Sequence, residues 1–156
     1  MKWVITEHVH YDRVAAPWLI KRFVDPAAQF FFAARGLSVD QLPEEQKDAI
    51  PLAVPGAKLS AHDENGPLFV KVVREYNLTS DPALEIMGKV ITLGVEAAIH
   101  GFRPAIDDTY GQIAMGLLAL HDGMNVMEQS DQKRLDMGLP IWDAVYALFK
   151  ANKQRV

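Results

Sequence analysis

Apolar and polar residues alternate from Lys2 to His8 around Trp3, Val4 and Ile5, which predicts a strand. The spacing then changes. Val14, Trp18, Leu19 and Phe23 fall on one helical stripe, with Arg13, Lys21, Arg22 and Asp25 supplying charge around it, so a helix is expected from Tyr11 until Pro26 stops it. Asp12 is expected to cap its start. Gln29 to Phe32 predicts a short aromatic strand, and a sheet with one buried face follows. Leu42 to Asp48 predicts a brief polar helix with Pro43 in its first turn, and Ile50 to Val54 another strand ended by Pro55-Gly56.

Beyond the polar loop from Ser60 to Pro67 the pattern turns helical. Leu68 to Tyr76 fits a helix and a strand equally well. Asp81 as cap, Pro82 at the first position and Gly101 as stop bound a helix that ends near His100. Asp107 or Asp108 starts the next, with Tyr110 in the same capping cluster, and it runs through Leu120 to a stop at His121-Asp122-Gly123. Two further helices are expected, Val126 to Met137 ended by Gly138, and Ile141 to Lys150 started by Pro140. Trp18, Trp142 and Tyr146 read as core aromatics. The fold class is α+β: a small N-terminal sheet with a predominantly helical C-terminal part, one domain over residues 1–156.

With 156 residues, 49% of them hydrophobic, the chain is large enough to fold on one core. It has no cysteine, which removes disulfides, thiolate metal sites and thiol catalysis. No signal peptide or membrane span is apparent, so a cytoplasmic protein is expected. The formal net charge of −4 disfavours autonomous nucleic-acid binding, and the basic cluster Lys150, Lys153 and Arg155 reads as a solvated helix end.

Tyr11 to Pro26 reads YDRVAAPWLIKRFVDP. The order Asp12-Arg13, Pro17-Trp18-Leu19-Ile20 and Arg22-Phe23-Val24-Asp25-Pro26 resembles the start of the C-terminal domain of the chromate-resistance protein ChrB. The resemblance continues through Ile50-Pro51, Val54-Pro55-Gly56, His62 and the segment from Gly138 to Tyr146. Members of that family typically carry a cysteine where this chain has Ala16, so a thiol role there is closed to it. The resemblance implies a bacterial domain linked to chromate response, which in fuller relatives follows a DNA-binding segment. Acting without such a segment, this chain is expected to signal through a partner protein.

Five histidines are the candidate ligands. His8 and His10, two apart, share one face if the strand extends to them. Glu96 and His100 are four apart on a helix, a spacing that suits a metal-ligand pair, a carboxylate orienting an imidazole, or a histidine serving the helix C-terminus. His62, Asp63 and Glu64 lie in a loop, and His62 falls at the resembling family's loop histidine. Together His62, Glu96, His100 and Glu64, or one of His8 and His10 in its place, form a mixed set suited to Zn, Fe, Mn or Ni. Arg13 is the candidate oxyanion ligand, because cationic charge near a helix N-terminus opposes the dipole there; the structural alternative is an ion pair with Asp143. Arg22, nine positions on, is not expected to share a small anion with it.

Three readings result. In the first, the domain binds a metal ion or chromate-like oxyanion in a chromate or metal stress response. In the second it is a small metal-dependent enzyme with an open coordination position and Glu64 as base. In the third it is an interaction domain that uses the exposed apolar residues of its last helices for self-association, as a homo-oligomer.

Overall fold

Lys2–Thr6 forms the central strand, β1, of a three-stranded parallel sheet in the computed structural model, which describes residues 1–152. On one side lies β2 (Gln29–Ala33), with Trp3 opposite Phe30 and Ile5 opposite Phe32; on the other lies β3 (Ile50–Leu52), with Ile5 opposite Leu52. Five helices follow the same chain order: α1 (Asp12–Leu19), α2 (Leu68–Glu75), α3 (Pro82–His100), α4 (Thr109–Val126) and α5 (Asp131–Asn152). The α+β class holds. Among the described residues no helix is long and apolar enough to cross a membrane. Lys153 and Arg155 lie outside the described residues.

A central parallel strand is covered on both sides, and β1 departs here from the expected single buried face. Trp3 and Ile5 enter the main core, whereas Val4 points the other way into a small cluster with Ala33, Leu42, Ala49 and Val54. That cluster belongs to the segment joining β2 to β3, which contributes one-turn 3₁₀ helices at Val39–Gln41 and Glu44–Gln46 in place of the expected longer helix.

The expected α1 runs into a wider π-helical turn over Ile20–Val24, and Pro17 sits inside it without an amide to donate. Asp12 does not cap its own helix. Tyr11 occupies that position at φ 47° with no side-chain cap, while the buried Asp12 carboxylate accepts hydrogen bonds from the Leu68 and Phe69 amides at 2.8 and 2.9 Å. Those are free N–H groups at the start of α2, so a residue 56 positions away supplies the cap that its own neighbourhood lacks. This settles the Leu68–Tyr76 ambiguity in favour of helix.

Local signals govern α3 as expected: Asp81 accepts from the Ala83 amide at 2.9 Å, Pro82 opens the helix, and Gly101 at φ 68° closes it. Asp108 caps α4 through the Gly111 amide. The expected stop at His121-Asp122-Gly123 fails, because His121 is built into the helix. Its Nδ1–H donates to the Leu117 carbonyl at 2.7 Å and its Nε2 accepts from the Trp142 indole at 3.3 Å. A carbonyl only accepts and an indole N–H only donates, so these partners fix a neutral ring.

The two expected C-terminal helices are one, α5, with Pro140 inside it. Gly138 is there for proximity: a Cβ at this position would collide with Val14 Cγ1 on α1. Interior proline costs a helix about 3 kcal/mol, and the packing of α5 offsets it. Trp142 and Phe149 are fully buried, the Trp18 indole donates to Asp143 Oδ1 at 2.7 Å, and Arg22 grips both Asp143 oxygens at 2.9 and 2.8 Å. Asp143 thus pairs with Arg22, and the expected Arg13–Asp143 pair is absent. Tyr146, also expected in the core, is half-buried and donates to Asp81 at 2.6 Å. Among the described residues, Ile106 and Val126 are the most exposed large apolar residues, at 93% and 80%.

Gly138→Ala is expected to lower the unfolding free energy in urea by about 1–3 kcal/mol through overpacking, although alanine in an open helix gains about 1 kcal/mol of propensity. Combined with Val14→Ala, the loss should be smaller than the sum of the two. His121 carries a pH signature. Burial lowers its pKa below the ordinary value, so the unfolded chain binds its proton first as pH falls. Stability from this group is complete above about pH 6.5 and is lost on acidification at up to about 1.4 kcal/mol per pH unit. Denaturation midpoints between pH 7 and 5 should fall less steeply in His121→Gln than in the parent.

Candidate functional site

The turn between β1 and α1 is where the backbone is most contorted. His8 and Tyr11 both lie at positive φ, 62° and 47°, in a region that side chains with a Cβ occupy at a cost of about 1–3 kcal/mol. The strand stops at Thr6, so His8 and His10 do not share a strand face as the alternation suggests. Arg13 holds the turn instead. Its guanidinium, reaching back from the first turn of α1, donates to the carbonyls of Thr6, Glu7 and His8 at 3.2, 3.2 and 3.1 Å. From the other end of the chain, the Asp131 carboxylate at the start of α5 accepts from the His8 and Val9 amides at 3.1 and 2.8 Å. His10 Nε2 lies 2.7 Å from Asp122 on α4.

These ties shape a pocket of about 480 Å³ lined by His8, His10, Arg13, Arg35, Asn125 and Arg134. Its lining has three guanidiniums, two imidazoles and an amide, with no carboxylate, in a chain whose formal charge is −4. Burial lowers the Arg13 pKa, and the nearby charge of the exposed Arg35 lowers it further. Arg13 has five N–H donors, of which three serve carbonyls, so two remain. Arg134 is buried at 8% exposure; one terminal nitrogen meets Asp131 at 3.2 Å, and its buried Nε has no hydrogen-bond partner. A buried polar group in that state costs about 1–3 kcal/mol. The lining thus carries no acid of its own, although Asp122 and Asp131 outside it pair with His10 and Arg134, and Arg13 keeps two free donors.

A second chamber of about 330 Å³ adjoins the first, and His10 and Arg13 line both. Tyr11, Asp12 and His62 add polar groups to a wall otherwise made of small and apolar residues such as Ala53, Ala98 and Leu118. Burial raises the Asp12 pKa, against the opposing pull of the two α2 amides and of the His62 and Arg13 charges. The loop bearing His62 is pinned by Lys71, whose ammonium meets Asp63 at 2.9 Å and donates to the Ser60 and Ala61 carbonyls at 3.2 and 2.7 Å. That ammonium and the Asn65 amide hold the Asp63 carboxyl below the usual range.

Of the expected metal set, three members converge. Glu96 places one carboxylate oxygen 3.3 Å from His62 Nε2 and the other 3.6 Å from His100 Nε2. His62 Nδ1 is buried without a partner. Glu64 is exposed and lines neither chamber. Among the described residues no group of three or more histidine, aspartate or glutamate side chains is arranged to hold a metal ion. Arg13 is the expected oxyanion ligand in the cationic pocket, and His8 and His10, expected as candidate metal ligands, line it as well. Arg35 and Arg134 were not legible as its companions, since Arg35 sits in a loop after β2 and Arg134 reads as a surface residue of an amphipathic helix.

The model of the ChrB C-terminal domain family matches residues 3–149. Protein ChrB of Cupriavidus metallidurans is 28% identical over 155 residues, which cover 99% of this chain and 42% of that protein. The chain therefore spans less than half the length of the relative it matches. No solved structure matches it. With the match extending from β1 to the last turns of α5, the chain belongs to the ChrB C-terminal domain family.

Proposed function

We propose that the domain binds a small tetrahedral oxyanion of the chromate class in the pocket formed by His8, His10, Arg13, Arg35 and Arg134, and that this binding is its part in chromate resistance. Family membership implies the chromate-related role. The observation that carries the ligand assignment is the meeting of three guanidiniums in one pocket whose lining includes no acid. Guanidinium is the side chain best matched to oxyanions, because its fork of donors engages two oxygens at once. An anion there neutralises the repulsion between Arg13 and Arg35 and can take up the two donors that Arg13 leaves free. The chain has no thiol, so the binding reading asks for no thiol reduction of the ligand.

A divalent metal held by His62, Glu96 and His100 is the second reading. It is favoured by one observation, the approach of both imidazoles to a single carboxylate. Elemental analysis of the purified protein, with His62→Ala and His100→Ala beside it, tests that reading; it requires bound metal in the parent and its loss in both variants.

Calorimetric titration of the purified chain with chromate and sulfate tests the first. Removing one charge-assisted partner costs about 1.5–3 kcal/mol, so exposed Arg35→Ala should weaken binding roughly 10- to 100-fold. Lys89→Ala, on the outer face of α3, should leave the affinity unchanged. Saturating anion at a hundred times its dissociation constant should add about 2.7 kcal/mol to the parent's stability. No heat of binding and no shift in melting temperature would refute the assignment.

A further inference from the structure

A small tetrahedral oxyanion occupies only part of the cationic pocket, which is open to solvent. The adjoining 330 Å³ chamber has a different chemistry: its wall is mostly Ala53, Ala98, Ile99, Leu118 and similar groups. Charge at one end and apolar surface at the other is the layout of a site for a molecule that is itself divided in this way.

We propose that the two chambers form one binding cleft for an organic oxyanion, a phosphate or similar head group carried on a compact apolar body. The inference rests on the oxyanion reading of the first chamber and names the ligand class that fills the remainder. The head lies among Arg13, Arg35 and Arg134, and the body extends past His10 and Arg13, the residues common to both linings, toward Tyr11 and His62. Three further features agree. His62 adds an imidazole to the otherwise largely apolar wall of this chamber, where it can meet one polar substituent on the body. Asp12 lines the second chamber with each oxygen accepting from an α2 amide, which ties the carboxylate to that helix end. Ala53, on the wall of the second chamber, lies at φ 52°, so each chamber is bordered by backbone in the left-handed region: His8 at one, Ala53 and Tyr11 at the other. A bare inorganic oxyanion occupies the head position alone.

Phenyl phosphate and inorganic phosphate, titrated separately into the purified full chain, distinguish the two cases. Phenyl phosphate should bind at least tenfold more tightly. Ala98→Phe enlarges an exposed residue of the second chamber, away from the buried core, and should abolish that advantage while leaving inorganic phosphate binding unchanged. Circular dichroism and the retained phosphate affinity confirm that the variant is folded. Equal affinities in the parent, or a phenyl phosphate advantage that survives Ala98→Phe, overturn the two-chamber ligand while leaving the oxyanion pocket standing. If neither compound binds, the oxyanion reading and this one fall together.

Discussion

One buried carboxylate organises the region on which every functional argument rests. Asp12 gives both oxygens to the first amides of α2, which fixes where the second helix begins and how it meets the first. Because Asp12 and Arg13 are adjacent, the same turn of α1 sends one side chain inward to a helix end and the other back to three carbonyls of the preceding turn. Burying an acid is costly unless its lone pairs are engaged. Here two N–H groups at a positive helix end engage them, and the carboxylate so fixed lines the same chamber as His62.

The parts of the fold legible in the sequence are those set by near neighbours. Asp81, Pro82 and Gly101 state the bounds of α3 because cap, first-turn proline and left-handed stop all act within a few residues. Gly138 and Pro140 gave the opposite message. Read locally they end one helix and begin another, yet the contact that selects glycine is with Val14, over a hundred positions earlier. His121 misled for the same reason, since its partner Trp142 belongs to the next helix. Spacing alone cannot report a contact between elements whose relative placement is still unknown.

The site divides along the same line. Arg13 was conspicuous because its charge opposes the helix dipole, and Glu96 with His100 because a four-residue spacing on a helix guarantees nearness. Arg35 and Arg134 were silent: neither breaks a local rule, and only tertiary folding gathers them. A chain with an acidic balance thereby acquires a concentrated positive interior surface that no average over its composition reveals.

Asp131 joins the amides of His8 and Val9 across more than 120 residues of chain. The cationic pocket is thus closed by the turn between β1 and α1 and the start of α5. Contacts of such long sequence separation form late and at an entropic cost. Every residue from β1 to the start of α5 must therefore be in place before a guest can be received, so occupancy reports that this domain has folded.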